Sequence, residues 1–463
     1  MTRAQESTAA ASSLATLREA LESGTMRQVR RMVNALNPAE IADLLESLPP
    51  PQREIVWELV AAEDEGDVLV ELNEQVRISL ISGMDSRELV AAAANLDLDD
   101  LADLLAELPE AVNREVLRSL DLSDRLRLQS VLKYDEDSAG GLMNPDTVTV
   151  RSNVTLETVL RYLRMHDELP VGMDALFVVS RQGDYLGCLF LTKLLTSEPD
   201  KTVADVMDTE VPKIDADMEA AQVATLFENY DLVSAAVVDD DGKLLGRINV
   251  DDVLDVIREE ASHSVLSMAG LDEDDDMFAP VGVSARRRSI WLGVNLATAF
   301  LAAWVAGLFE STLDRIVILA ILMPVVPSMG GIAGTQTLIL ITRGLALGQI
   351  ERSNARWLLQ KEFGVAVLNA AGWAAIVALV TAWWFDTWKI GVVIALALAA
   401  NLLCAAVCGF LVPIALRRLH IDPALAGGVV LTTITDVVGL SAERLREESG
   451  FRNRETRSSR RHR

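Results

Sequence analysis

Cysteine and histidine are scarce in this chain, at three and four of 463 residues. Cys188, Cys404 and Cys408 cannot build a disulfide framework, which fits a reducing compartment for the soluble part. Cys404 and Cys408 stand one helical turn apart in an apolar run and read as packing residues, not a metal pair. The four histidines are scattered, and neither a Ser/His/Asp constellation nor a phosphate-binding loop is visible, so the chain does not read as an enzyme. Basic residues are also short in supply. Residues 1–283 carry 57 acids against 23 bases, a net of −34, and the remainder nets +8. A surface of that sign excludes nucleic acid as a partner, because phosphate binding needs a basic face, and it favours cations. Residues 1–16 are polar and lack the apolar core of a secretory signal, so they are expected to be a disordered N-terminus.

What the C-terminal part has is apolar length. Ser289–Phe309, Phe363–Phe385 and Ile390–Leu416 are free of charge and long enough to cross a hydrocarbon layer of about 30 Å, which takes roughly 20 helical residues. Ile316–Thr342 is as long but contains Pro324, Pro327 and a glycine cluster, and Pro423–Ala442 carries the acid Asp436 among Thr432, Thr433 and Thr435. Five spans are therefore expected within 285–442. Arg286–Arg288, the bases between Arg343 and Lys361, and Arg417–Arg418 mark the cytoplasmic ends, which places the N-terminal half in the cytoplasm. Five spans would leave the C-terminus outside, in conflict with a basic tail over 443–463 that holds eight arginines.

Residues 17–137 read as an acidic all-helical domain with an internal repeat. Asn37-Pro-Ala-Glu-Ile-Ala-Asp-Leu-Leu-Glu-Ser-Leu-Pro49 returns as Asp97-Leu-Asp-Asp-Leu-Ala-Asp-Leu-Leu-Ala-Glu-Leu-Pro109. Such hairpins stack into a scaffold. Over 138–250 the period shortens, and a β–α–β–β–α layout occurs twice, with strands at Ala175–Ser180 and Tyr185–Leu189 answered by Ser234–Asp239 and Leu244–Ile248. This tandem resembles a CBS-domain pair, a module that often binds adenosine nucleotides and elsewhere serves only as a dimerising regulator. Residues 251–284 then form an acidic amphipathic connecting helix and the run Asp272–Asp276, which reads as a solvated linker.

Two stretches in the membrane half can carry chemistry. In Met323-Pro-Val-Val-Pro-Ser-Met-Gly-Gly-Ile-Ala-Gly-Thr-Gln-Thr337, prolines and glycines are expected to loosen the helix and expose carbonyls, with Gly331, Gly334 and Gln336 as pore candidates. Close packing through small residues is the competing reading. In the last span Asp422 is either a helix cap or a pore acid, while Asp436 lies deeper, one turn beyond Thr432. No base in the neighbouring spans can pair with it, so it protonates or meets a cation. Two copies of Asp436 at a symmetry axis would offer oxygen ligands alone, which suits a hard ion such as Mg²⁺ that keeps most of its water.

With Thr342-Arg-Gly-Leu-Ala-Leu-Gly348, Asp422-Pro-Ala and Thr432-Thr-Ile-Thr-Asp436, and with the domain order above, the chain resembles the MgtE family of magnesium channels over about residues 17–440. The resemblance implies an inner-membrane homodimer with five spans per subunit. It implies that Asp436 is the pore carboxylate and that the backbone near Gly428 and Thr432 helps bind hydrated Mg²⁺. It further implies feedback, in which intracellular Mg²⁺ bridges acids of the soluble domains and favours closure. Asp217, Glu219, Asp231, Asp252, Asp255 and Glu260 match such positions, as do Asp99, Asp100 and Asp103. The chain departs from the family at Ile332, where Asn is frequent, at Glu260-Ala-Ser-His-Ser264, and at the polar Ser441-Ala-Glu-Arg444. Other readings of the same residues are a nucleotide-binding membrane sensor that passes no ion, and a carrier for Co²⁺ or another divalent cation.

Overall fold

The computed structural model describes residues 26–94, 96–166, 169–170, 172–271, 275–307, 321–322, 324–350 and 353–439. The expected disordered N-terminus, the basic tail, the polar Ser441–Arg444 and part of the second span lie outside the described residues. The chain forms two compact units. One holds residues 26–262 and 275–280, the other residues 263–271 and 281–439.

Over its described residues the first unit begins with nine short helices between Met26 and Val131. Their starts follow from local chemistry. Asn37 accepts a hydrogen bond from Glu40 N (2.8 Å), and Glu40 returns one to Asn37 N (3.0 Å), closing a capping box ahead of helix Pro38–Glu46. Asp97 occupies the equivalent place ahead of helix Leu98–Glu107 but makes no such side-chain bond. Ile41, Leu44, Leu45 and Leu48 and their repeat equivalents Leu101, Leu104, Leu105 and Leu108 are all buried, as helical spacing requires.

Two three-stranded sheets follow. In the first, β1 (Thr149–Arg151) pairs parallel to β2 (Ala175–Val179), which pairs antiparallel to β3 (Tyr185–Phe190). β4 (Ile214–Asp215), β5 (Ser234–Val238) and β6 (Leu244–Asn249) repeat the pattern. Every residue of β2 and β5 is buried, the mark of a central strand covered on both faces. The copies exchange their leading segments. Asn144 bridges to Arg247 of β6, and Asp208 bridges to Cys188 of β3. Helix Val250–Leu266 leaves directly from β6.

The linker after it is not simply solvated. Arg53 is 2% exposed and forks onto Asp276 at 2.9 and 3.1 Å, and its remaining donors reach Leu45 O and Leu48 O. Leu45 O and Leu48 O lie at and just beyond the end of helix Pro38–Glu46, so the guanidinium is fixed by backbone as well as by the carboxylate. Gln75 Nε2 donates to Asp275 Oδ1 at 3.1 Å. A run of like charge is solvated by default, but here one buried guanidinium draws its last member inward.

In the second unit four described helices are long and apolar enough to cross a membrane: Val281–Gly307, Val325–Ala346, Ala355–Phe385 and Trp388–Arg418. Pro423–Gly439 is a fifth apolar helix, shorter over its described residues. The expected count of five long spans is therefore met by four. The helices outrun the apolar segments at several ends, because arginine, glutamine, lysine and glutamate are good helix formers although they are polar. The glycine-rich stretch does not unwind. Pro324 caps its helix and Pro327 falls in the first turn, where a missing N–H removes no intrahelical bond. Gly330 and Gly334 serve contact instead: a Cβ at Gly334 would meet Leu431, and one at Gly409 would lie 2.7 Å from Gly334 O.

Candidate functional site

Helix Pro423–Gly439 has two sides. Ala424, Gly427, Leu431, Thr435 and Gly439 are buried, and they recur at close to helical spacing. Leu431 fills the notch at Gly334, and Leu338 fills the notch at Gly427. Gly428, Thr432 and Asp436 recur every four residues on another face, half-buried to exposed, and among the described residues no atom lies near the place a Cβ on Gly428 would take. Thr432 Oγ1 turns back to Gly428 O at 2.8 Å, while Thr435 Oγ1 donates to Thr432 O at 3.0 Å. Among the described residues no cationic group pairs with Asp436. A column of small and oxygen-bearing groups ending in an unpaired carboxylate can hold water and attract a cation.

Asp422 caps this helix, accepting from Ala424 N and Leu425 N at 2.9 Å each. His263 Nε2 stands 3.4 Å from its Oδ2. Of the pore candidates in the glycine stretch, Gly331 faces open space and Gly334 is buried in the helix contact. Gln336 joins Thr337, Lys361, Glu362 and Asn369 on the polar part of the wall of a cavity of about 240 Å³ whose remaining lining is apolar. Glu362 is 6% exposed, accepting from Thr337 Oγ1 at 3.3 Å and from Lys361 Nζ at 2.6 Å. The sequence pattern marks Glu362 only as the edge of a span. Its helix starts at Ala355, so it sits two turns inside.

The acids of the first unit gather in two places. Carboxylate oxygens of Asp97, Asp99 and Asp100 lie within 4.8 Å of one another. Burial pushes Asp100 up to about 8, with Asp99, Asp97, Asp252 and Asp103 adding like charge. Burial also pushes Asp103 and Asp252 up to about 7 and raises Asp99, even though Asn144 Nδ2 donates to Asp99 Oδ1 at 3.1 Å. Asp99, Asp100, Asp103 and Asp252 thus form one electrostatic group, joining helix Leu98–Glu107 to the start of helix Val250–Leu266. Half-buried carboxylates without a paired base are a poor arrangement for folding alone and a good one for a divalent cation. Asp217 belongs to a second, exposed group with Asp215 and Asp240.

Of the remaining acids, Asp255 adds like charge to Asp252 of the first group. Glu219 accepts from Gln222 Nε2 at 2.9 Å at the start of helix Ala220–Tyr230, and Asp231 closes the same helix with a left-handed backbone at φ 50°. Glu260 is exposed. Asp255 is exposed too and lies beside Glu71, whose carboxyl burial pushes up.

Comparison with known proteins covers both units. A family model described as a divalent cation transporter, MgtE, matches residues 323–442. The MgtE intracellular N domain matches 36–137, and the CBS domain matches 139–198 and 203–259. The magnesium transporter MgtE of Thermus thermophilus is 31% identical over 430 residues, 92% of this chain and 95% of its own. Its counterpart in Bacillus subtilis is 29% identical over 420 residues, 91% of this chain and 93% of its own. Among solved structures, the cytosolic domain of the Mg²⁺ channel MgtE in complex with ATP is 32% identical, with a TM-score of 0.48, and covers 52% of this chain and 99% of that one.

Proposed function

The chain belongs to the MgtE family of magnesium transporters, and on that footing we propose that it is a homodimeric Mg²⁺ channel that admits the ion to the cytoplasm. The observation that carries the reading is the open stripe Gly428–Thr432–Asp436 on a helix whose other side is locked by Leu431 and Thr435. Helix Pro423–Gly439 acts as the fifth membrane helix, and the first unit lies in the cytoplasm of a cell with this protein in its inner membrane. Asp436 meets Mg²⁺ through the ion's water shell, since Mg²⁺ gives up water reluctantly. Two subunits supply two such carboxylates to one ion.

Closure is favoured by intracellular Mg²⁺ on the soluble acids. Asp99, Asp100, Asp103 and Asp252 would hold it at one place, and Asp217 with Asp215 and Asp240 at another. Their oxygen donors suit a hard cation, and a bound divalent ion relieves the like-charge repulsion within each group. A ligand that binds the closed arrangement better shifts the population toward it. Glu219, Asp231, Asp255 and Glu260 widen the negative field around these groups.

The test is Mg²⁺ uptake into proteoliposomes. Asp436→Asn lowers uptake at least tenfold, whereas parental uptake by that variant removes the pore assignment. Uptake by the parent that falls as Mg²⁺ is raised on the side of the soluble domains supports the feedback; constant uptake refutes it.

A further inference from the structure

Asn401 sits in the middle of helix Trp388–Arg418, an otherwise apolar segment, and its side chain is fully buried. Its Nδ2 donates to Val326 O at 2.9 Å. Its Oδ1 is buried with no hydrogen-bond partner among the described residues. The acceptor fixes the amide's orientation, because the reverse would set two oxygens face to face. The amide fills a notch made by two glycines. A Cβ on Gly330 would overlap it, and a Cβ on Gly439 would come within 3.2 Å of Nδ2. Gly330 belongs to helix Val325–Ala346, and Gly439 lies three residues beyond Asp436. One amide therefore touches the proline-capped helix and the helix that carries the open stripe.

An apolar side chain would fill this space at less expense. A buried acceptor without a partner destabilises the fold by its lost solvation. Leucine in a small-residue notch, however, packs almost equally well after a small slide or rotation, whereas a directional hydrogen bond fixes register. We infer that Asn401 is a positioning residue: its amide sets the depth and rotation of helix Pro423–Gly439 against helix Val325–Ala346, and so the place at which Asp436 meets the ion. The inference rests on the reading of the Gly428–Thr432–Asp436 stripe as the ion path.

The test uses the full-length protein, purified in detergent and reconstituted, as Asn401→Leu, Gly439→Ala and Asp436→Asn. Asn401→Leu is expected to melt at or above the parental temperature, because the orphaned acceptor is gone. Its Mg²⁺ uptake is expected to fall at least fivefold, and its preference for Mg²⁺ over Ca²⁺ to narrow. A residue of purely structural value would lower melting temperature and uptake together and leave the preference intact, and that pattern overturns the inference. So do parental uptake and preference in Asn401→Leu while Asp436→Asn is inactive. Should Asn401→Leu fail to fold, Gly439→Ala decides, since its methyl presses on the same amide. A narrowed preference in Gly439→Ala supports the inference, and a parental one overturns it. Parental uptake by Asp436→Asn instead sinks the ion-path reading.

Discussion

Asp97 and Asn37 occupy equivalent places in a sequence repeat and do different work. The Asn37 amide is held in its capping box, whereas the Asp97 side chain makes no capping bond and its carboxylate lies beside those of Asp99 and Asp100. The repeat thus has one copy tuned for folding and one that gathers charge. Burial, with the neighbouring carboxylates adding to it, pushes Asp100 up to about 8, the highest of the group. Asp100→Asn is expected to raise the melting temperature of metal-free protein at pH 8 and to reduce the further rise on adding Mg²⁺. Differential scanning fluorimetry with and without Mg²⁺ checks both signs. A larger Mg²⁺ response in the variant would remove Asp100 from the cation group.

Among the elements, helix Pro423–Gly439 gives the sharpest contrast between two glycines. Gly409, on the neighbouring helix, lies so close to helix Val325–Ala346 that a methyl group would press on Gly334 O at 2.7 Å and Thr337 Cβ at 3.0 Å. A methyl group on Gly428 meets nothing among the described residues. Gly409→Ala should therefore destabilise the protein by about 1–3 kcal/mol, as overpacking does, while Gly428→Ala keeps the parental melting temperature and loses uptake. Thermal melts paired with flux separate the two; equal melting losses would contradict the assigned faces. These faces were only partly legible in the sequence. The spacing of Thr432 and Asp436 was readable, because helical geometry is local. The role of the glycine stretch was not, because proline loosens a helix or starts one according to its position, and the start was set by packing. Glu362 was hidden for the same reason: charge marked a boundary that the helix ignored.

For the molecule as a whole, charge decides the response to pH. Asp100, Asp103 and Asp252 bind protons more tightly folded than unfolded, with values raised to about 8, 7 and 7. The contribution of these acids to stability is complete below about pH 4 and is lost as pH rises through 7 and 8. Metal-free protein should accordingly melt lower at pH 8 than at pH 6, with Mg²⁺ closing most of that gap. A melting temperature that rises over the same interval would contradict the assignment. The domain order, the duplicated strands and the acidic sign were all readable from the chain, since each repeats or accumulates along it. The meeting of Asp99 and Asp100 with Asp252 was not, because it depends on how a helical repeat packs against a helix about 150 residues later.

The Arg53–Asp276 fork has a mechanical consequence. Four residues, 277–280, separate the anchored Asp276 from the first residue of helix Val281–Gly307. Fully stretched, that leash reaches no more than about 17 Å. Removing the helical repeat would remove this anchor as well as a scaffold, and residues 277–280, which lead into helix Val281–Gly307, would lose their fixed end.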